Sequence, residues 1–349
     1  MAQTEELPPS PELIIQITQL LVGNMAARIV STAALLELDL HLRHGPRTAA
    51  DLAQVTETDP ETLGRFLRAV AAVGVIIEHE DGRFSLTPLG KHLRFARIGM
   101  LGEDAHRAWN ELPYTLRTSR PAWDHIFGTP FYDHLAERPV VEANFNEWLA
   151  VTAGPWLSLS VAACDLTSAG TVVDVGGGDG TFLAALLNAN PQLHGTVIDL
   201  PDTVGRAFAT FERVGVADRS TVVAGSFFDA IPVGGDVYTV CRVLFNWDDD
   251  HAIKILSNIR RAMSNGARLL VIEVPLPPLG HAQRLMGTIN DHNLLLLMGG
   301  RYRSIEELRA LLQKAGFELT SATPANDGWY VIEAHPLKAQ EGGPDIPTD

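Results

Sequence analysis

The stretch Thr171-Val172-Val173-Asp174-Val175-Gly176-Gly177-Gly178-Asp179-Gly180-Thr181-Phe182-Leu183-Ala184-Ala185-Leu186-Leu187 decides the fold. Its opening is an apolar run short enough for a buried strand, and its close is a run of helix formers. The glycines between them let the backbone turn tightly and approach a ligand that any Cβ would block. A strand, a Gly-rich turn and a helix in this order start an open α/β sheet. The turn alone does not select the ligand, because dinucleotide enzymes share it.

The elements that follow narrow the choice. A second strand, Gly195-Thr196-Val197-Ile198, ends in Asp199. An acid at that strand tip can accept both ribose hydroxyls of an adenosine ligand. The third strand, Ser220-Thr221-Val222-Val223-Ala224, runs into Gly225-Ser226-Phe227-Phe228-Asp229, where a small polar group and an aromatic ring can hold the edge and face of an adenine. Further strands are expected at Asp236 to Cys241 and Arg268 to Glu273, with a final apolar pair at roughly 317 to 335.

Upstream, residues 11 to 40 read as two helical segments whose apolar residues, among them Ile14, Ile15, Ile17, Leu20, Leu21 and Val22, cover more than one stripe. That breadth implies burial against a second chain, hence a homodimer. From His41 to about Phe95 come two capped helix starts, at Thr48 and at Asp59-Pro60, then strands Val75–Glu78 and Arg83–Leu86 around Asp81-Gly82. Helix, turn, helix and two-stranded wing make a winged helix. Residues 41 to 95 hold seven Lys or Arg and seven Asp or Glu, so the unit lacks the basic face that duplex DNA requires and suits dimerisation or a substrate lid. Residues 100 to 165 are helical and rich in aromatics, including Trp109, Trp123, Trp148 and Trp156. Most of these are core, yet such a cluster also suits a flat apolar substrate pocket.

The ordered motifs resemble one family. Val173-Asp174-Val175-Gly176-Gly177-Gly178-Asp179-Gly180, Asp199-Leu200-Pro201, Gly225-Ser226-Phe227-Phe228-Asp229, Arg242-Val243-Leu244-Phe245-Asn246-Trp247-Asp248-Asp249 and Gly299-Gly300-Arg301-Tyr302-Arg303-Ser304-Ile305-Glu306-Glu307-Leu308 appear in sequence. Together they resemble the caffeate, acetylserotonin and hydroxyneurosporene type of O-methyltransferase, especially the bacterial enzymes of aromatic polyketide and antibiotic biosynthesis. The resemblance spans nearly the whole chain. It implies a C-terminal Rossmann-like class I methyltransferase domain at 166–337, behind a mostly helical winged-helix dimerisation domain at 1–99. A helical linker at 100–165 would contribute to the substrate pocket, and 338–349 would be a polar tail. The implied cofactor is S-adenosyl-L-methionine. Gly176 and its neighbour Gly178 would approach the methionine part, Asp199 the ribose, and Leu200 the adenine. Ser226 and Phe227 would meet the adenine, with Cys241 and Arg242 on its far side; for Cys241, an ordinary buried strand residue is an equal reading.

The chain departs from the family at the catalytic position. Most members carry His then Asp before the tryptophan, and that His is the general base. Here Phe245 and Asn246 stand there, and a phenyl ring takes no proton. Three explanations follow. The acceptor ionises by itself and catalysis rests on positioning, which can contribute roughly 7 to 11 kcal/mol; the anthracycline-tailoring relatives also lack that His. Alternatively Asp291 or His292, where the family places acidic or polar substrate-facing residues, takes the proton. Thirdly, the fold serves other chemistry such as C-methylation, hydroxylation or a pericyclic step. In the first reading Asn246 orients the acceptor, while Phe245 and aromatics such as Trp109 and Trp148 sandwich it. A rival of another class is a cofactor-sensing winged-helix regulator, which the balanced charge of the wing disfavours.

Composition bounds all of this. The 349 residues suit two domains, and 46% hydrophobic with 20% charged residues is a globular balance. A net charge of −15, from 42 acidic and 27 basic side chains, repels phosphate backbones and argues against nucleic acid. The two cysteines, Cys164 and Cys241, lie far apart, which fits a reducing compartment and offers no metal-ligand spacing. No metal is expected, since methyl transfer needs none. With no basic-then-apolar leader and no run of 18 uninterrupted apolar residues, a cytoplasmic protein without a membrane span is expected.

Overall fold

A computed structural model describes residues 10–97, 102–326 and 328–337. The expected polar tail at 338–349 lies outside the described residues. The described chain falls into two compact units, one running to Arg107 and including Leu135–Trp148, the other comprising Ala108–His134 and Leu149 onward.

In the first unit, α1 (Pro11–Leu35) is followed by α2 (Leu38–His41), β1 (Arg47–Thr48), α3 (Ala49–Thr56), α4 (Pro60–Ala72), β2 (Ile76–Glu78) and β3 (Arg83–Leu86). Thr48 and Asp51 form a reciprocal capping box, and the Asp59 carboxylate accepts from the Thr62 amide ahead of Pro60. The side chains that α4 turns inward, Leu63, Leu67 and Val70, pack with Leu38, Leu52, Ile76 and Phe84. The sheet has three strands in the order β1-β3-β2; the two-residue β1 is too short to leave a periodic signal. Residues 11 to 35 form one continuous helix rather than ending midway, because neither Gly23 nor Asn24 breaks the hydrogen-bond ladder. Only Ser31, Ala33 and Ala34 of α1 are buried, while Leu13, Ile17, Leu20, Leu21 and Met25 are exposed. By length and composition α1 is apolar enough to cross a membrane, although Gln16, Gln19, Asn24 and Arg28 interrupt it. These polar residues keep the segment from being an unbroken apolar run, so the sequence carries no sign of a span there.

The linking helices are α5 (Glu103–Asn110), α6 (Leu112–Thr118), α7 (Ala122–Phe127), α8 (Phe131–Ala136) and α9 (Pro139–Ala163). The second unit continues with β4 (Thr171–Val175), α10 (Thr181–Ala189), β5 (His194–Asp199), α11 (Pro201–Val204), α12 (Ala207–Val214), β6 (Ser220–Ala224), β7 (Val237–Cys241) and α13 (Asp249–Ala262). It ends with β8 (Arg268–Glu273), α14 (Arg284–Met298), α15 (Ile305–Lys314), β9 (Phe317–Pro324) and β10 (Tyr330–Pro336).

These strands form one sheet in the order β6-β5-β4-β7-β8-β10-β9. The first five are parallel, while β10 runs antiparallel to both β8 and β9. Burial alternates across the central strand β4. Val172 faces Phe182, Leu183, Leu186 and Phe211, whereas Val173 faces Tyr238, Ile255, Leu256 and Leu308. A strand buried on both faces is apolar along most of its length, and in Thr171–Val175 the three valines carry that pattern while Asp174 is a buried exception. The chain order reverses at β4, which lies between β5 and β7. A crevice therefore opens beyond the carboxyl ends of β4 and β7, where open α/β sheets bind ligands. The fold is that of a class I methyltransferase: a mostly parallel C-terminal sheet preceded by a helical N-terminal region.

Candidate active site

The tips of β4, β5 and β6 bring the expected cofactor residues together. Gly176 has φ +70°, and a Cβ there would stand 2.8 Å from Val243 Cγ2 and 3.3 Å from the Phe227 ring. Gly178, at φ +62°, has no atom within 4 Å of where its Cβ would be, so that side of the turn is open. The Gly178 amide donates to Asp199 Oδ2 at 2.9 Å, and the Leu200 amide donates to Oδ1 at 2.7 Å. Burial raises the Asp199 carboxyl above its ordinary value, against the pull of these two amides and Arg206. Leu200 itself is exposed. Ser226 Oγ accepts from the Phe228 amide at 3.1 Å, and Asn258 donates to the Phe227 carbonyl at 2.8 Å, which fixes the aromatic turn. Phe227 lies edge-on to Phe228 and Trp247, at 4.9 and 6.0 Å between centroids. An open glycine cradle, a carboxylate at the tip of the neighbouring strand and an aromatic wall are what S-adenosylmethionine requires, so the residues present fit that group.

Beneath the turn, Asp174 is fully buried and accepts from Thr239 Oγ1 at 2.7 Å, while its Oδ2 takes no hydrogen bond. Desolvation pushes this carboxyl up to about 7. It sits against the glycine turn, since a Cβ on Gly177 would meet its Oδ2.

The other half of the site follows β7. Burial raises the Cys241 thiol well above its usual range. Arg242 adopts φ +62°, a left-handed conformation that a non-glycine residue reaches only under constraint from its surroundings. Its guanidinium lies 5.3 Å from the Trp156 ring and 5.8 Å from the Trp329 ring, and these two rings stack at 4.4 Å. Asn246 Nδ2 donates to the Arg242 carbonyl at 3.1 Å. Phe245 is held from both sides of its backbone: its amide donates to Glu273 Oε1 at 3.3 Å, and its carbonyl accepts from the Arg301 amide at 2.8 Å. Buried Arg303 fastens the same turn by donating to the Leu244 and Trp247 carbonyls and to Asp249. The Phe245 ring meets Tyr302 edge-on at 5.7 Å.

Helix α14 supplies the third group. Asp291 Oδ1 accepts from the Tyr302 amide at 2.7 Å, which ties the helix to the turn bearing Phe245. His292 Nδ1 lies 2.8 Å from the Thr288 carbonyl and so carries the proton, leaving Nε2 as the acceptor. Trp109 Nε1 donates to Asn293 Oδ1 at 2.9 Å, placing Trp109 beside α14. Trp148, by contrast, belongs to the first unit, where it stacks near Phe145 at 6.2 Å.

Two residues here escaped the reading of the sequence. Glu273 is 3% exposed, and loss of solvent pushes its carboxyl up to about 8 despite nearby Arg303 and the Phe245 amide. The available signal was an acid ending the otherwise apolar strand Leu269–Ile272. Trp329, in the turn between β9 and β10, carried no signal at all.

Comparison with known proteins agrees with this geometry. The family described as the O-methyltransferase domain matches residues 109–318. The chain is 38% identical over 337 residues to the O-demethylpuromycin-O-methyltransferase of Streptomyces alboniger, covering 92% of this chain and 89% of that one. It is 35% identical over 319 residues to the aclacinomycin 10-hydroxylase of Streptomyces purpurascens, covering 86% of this chain and 83% of the relative. Among solved structures, it matches an O-methyltransferase from neocarzinostatin biosynthesis in complex with S-adenosylmethionine and 2-hydroxy-5-methyl naphthoic acid. That match has a TM-score of 0.80 and 33% identity, covering 89% of this chain and 96% of that one. The chain belongs to the O-methyltransferase family of bacterial antibiotic and secondary-metabolite pathways, and it is an enzyme that uses S-adenosylmethionine.

Proposed function

We propose that this enzyme methylates a hydroxyl on an aromatic or polyketide-like metabolite without a histidine base. The carrying observation is Phe245, a residue incapable of proton transfer, clamped by its amide and carbonyl in the turn where the family's base usually stands. When bound, S-adenosylmethionine supplies an electrophilic methyl on a sulfonium sulfur. Asp199 and the Gly176–Gly178 backbone orient the ribose and methionine parts, with Leu200, Ser226 and Phe227 on the adenine and Cys241 and Arg242 on its far side. Phe245, Tyr302 and Trp109 present apolar faces that align the acceptor and exclude water, and Asn246 orients it by hydrogen bonding. Asp291 acts here as the tie to the Tyr302 amide, and His292 as a positioning group that offers only Nε2 to a ligand. Burial raises the Glu273 carboxyl, and its Oε1 accepts from the Phe245 amide, so Glu273 serves here to hold that turn.

Labelled S-adenosylmethionine incubated with a panel of phenols and hydroxylated polyketides, followed by mass analysis, tests the reading. Label should appear on an acceptor oxygen. Binding of the cofactor with no transfer to any acceptor would favour other chemistry on the same fold, a second reading supported by Phe245 and by the relative named as a hydroxylase.

The same reading includes a homodimer. The exposed Leu13, Ile17, Leu20 and Leu21 face of α1 fits a second copy of the chain, and light scattering should report two chains at micromolar concentration. A stable monomer would contradict it. The balanced charge of residues 41 to 95 supports a small-molecule acceptor rather than nucleic acid as partner, and the free Cys164 and Cys241 suit a cytoplasmic setting.

A further inference from the structure

Residues 300 to 303 are fastened to the Phe245 turn position by position. Gly300 packs so tightly on the Phe245 carbonyl and the Asn246 backbone that no Cβ fits. The Arg301 amide donates to that carbonyl at 2.8 Å. The Tyr302 amide donates to Asp291 Oδ1 at 2.7 Å, and its ring meets Phe245 edge-on at 5.7 Å. Arg303 donates to the Leu244 and Trp247 carbonyls, while its own carbonyl accepts from the Leu276 amide at 2.9 Å. The backbone and ring of Tyr302 are therefore held by the same contacts that hold the turn. Its hydroxyl, by contrast, makes no hydrogen bond among the described residues, and the residue is only half-buried. The charged groups near this hydroxyl are Glu273 at the end of β8, Arg242 just after β7 and Asp291 on α14. It lies between the acceptor side and the cofactor residues, where the two reactants meet. Loss of solvent pushes it up to about 12, so it keeps its proton at neutral pH and offers a donor.

We infer that the Tyr302 hydroxyl donates to a carbonyl oxygen of the acceptor, one conjugated with the hydroxyl that receives the methyl. The inference rests on the O-methylation reading and names its substrate class: hydroxyketones and hydroxyquinones rather than plain phenols. Two features select a carbonyl. The reacting oxygen must direct a lone pair at the methyl carbon, and a donor on it holds that pair back. A carbonyl oxygen only accepts, and its plane presents lone pairs to a donor at its edge. A hydrogen bond there also draws charge out of the conjugated ring and favours ionisation of the reacting hydroxyl. That suits a turn in which Phe245 takes no proton, because the hydroxyl's own ionisation then governs the rate. No bond to Tyr302 forms or breaks: its proton stays on the phenol oxygen, and the acceptor's proton leaves to water. A donor held by its amide and by an edge-on ring needs no reorganisation when the acceptor arrives.

The test compares 2-acetyl- and 4-acetyl-1-naphthol with their ethyl counterparts, using the full-length protein. Affinity is read by calorimetry in the presence of S-adenosylhomocysteine, and methyl transfer by mass analysis with S-adenosylmethionine. The wild type should bind at least one ketone about fivefold to tenfold more tightly than its ethyl counterpart, the fold-change of one net hydrogen bond. Tyr302→Phe should reduce that preference to less than about twofold. It should also raise the carbonyl stretching frequency of the bound ketone, a signature that a purely structural role would not move. Tyr302→His, which keeps a donor on a ring, should retain part of the preference, and it decides the matter should the Phe variant fail to fold. Equal affinity of the wild type for ketone and ethyl compound, including binding of neither, overturns the inference. So does a Phe variant that weakens both alike, because the ring alone would then matter. Loss of S-adenosylhomocysteine affinity by more than about tenfold in that variant also overturns it, because the hydroxyl would then serve the cofactor. Equal methylation of ketone and ethyl compound defeats this inference alone, whereas cofactor binding with no transfer to any phenol defeats the reading beneath it as well.

Discussion

The two halves of the active site are built differently. At the tips of β4, β5 and β6, the expected cofactor side is built of backbone amides and one carboxylate, each within three residues of a strand end. Gly178 donates to Asp199 from the neighbouring strand's turn and Leu200 donates to it from the next position in the chain, so the register of β4 and β5 and the local chain bring them together. After β7, the acceptor side is assembled from distant segments. Glu273 and Arg301 clamp the Phe245 backbone, Tyr302 closes on its ring, Asp291 holds Tyr302, and Trp109 reaches Asn293. The contrast teaches that the donor side depends on short-range strand-end geometry, whereas the acceptor side depends on contacts between segments far apart in the chain.

The comparison breaks hardest at Gly300. A Cβ there would stand 2.2 Å from the Phe245 carbonyl oxygen and 2.9 Å from Asn246 backbone atoms, which cannot yield without moving the turn. Gly300→Ala is expected to lower methyl transfer about a hundredfold, the effect of a misplacement near one ångström. S-adenosylhomocysteine affinity by calorimetry should hardly change. Loss of both together would show that the halves are not separable.

Asp199→Ala probes the other side. Removing the acceptor of two hydroxyls should weaken S-adenosylhomocysteine binding by roughly 1.5 to 3 kcal/mol, measured by calorimetry. Unchanged affinity would remove Asp199 from the site.

Smaller effects are expected on α14. Asp291→Asn retains an oxygen for the Tyr302 amide, and His292→Ala removes a side chain already tied to its own helix. Each should cost less than about tenfold, against the roughly 10²- to 10⁴-fold of a lost general base. In the pH–rate profile, a large drop with loss of the wild-type ionisation limb would assign the base to that residue. Phe245→His should leave neutral-pH activity unchanged or raise it.

The smallest effect is on stability. The Glu273 carboxyl rises from 4.5 to about 8 on folding, so the folded chain holds a proton there that the unfolded chain releases. Its contribution is complete below 4.5, declines as pH rises, and is lost through about 8. Glu273→Gln should flatten the decline of thermal stability over that window, by at most about 1.4 kcal/mol per pH unit. Equal slopes in the two proteins would place the titration elsewhere, with Asp174 the next candidate because its carboxyl shifts in the same direction.

Sequence by itself determined the parallel sheet, the glycine turn, Asp199 at the second strand tip and the absence of a basic residue at position 245. These are local: a strand buried on both faces is a mostly apolar run, and a helix start shows its cap in adjacent residues, as at Thr48 and Asp59. Only tertiary structure revealed that Asp291 spends an oxygen on the Tyr302 amide and that Glu273 backs Phe245. It also placed Trp329 against Arg242, and Trp148 in a different unit from Trp109. The physical reason is that a hydrogen bond or ring contact between residues far apart in the chain leaves no period and no spacing in sequence. It exists only after the sheet and helices have packed, and the same packing decides which charges lose their solvent.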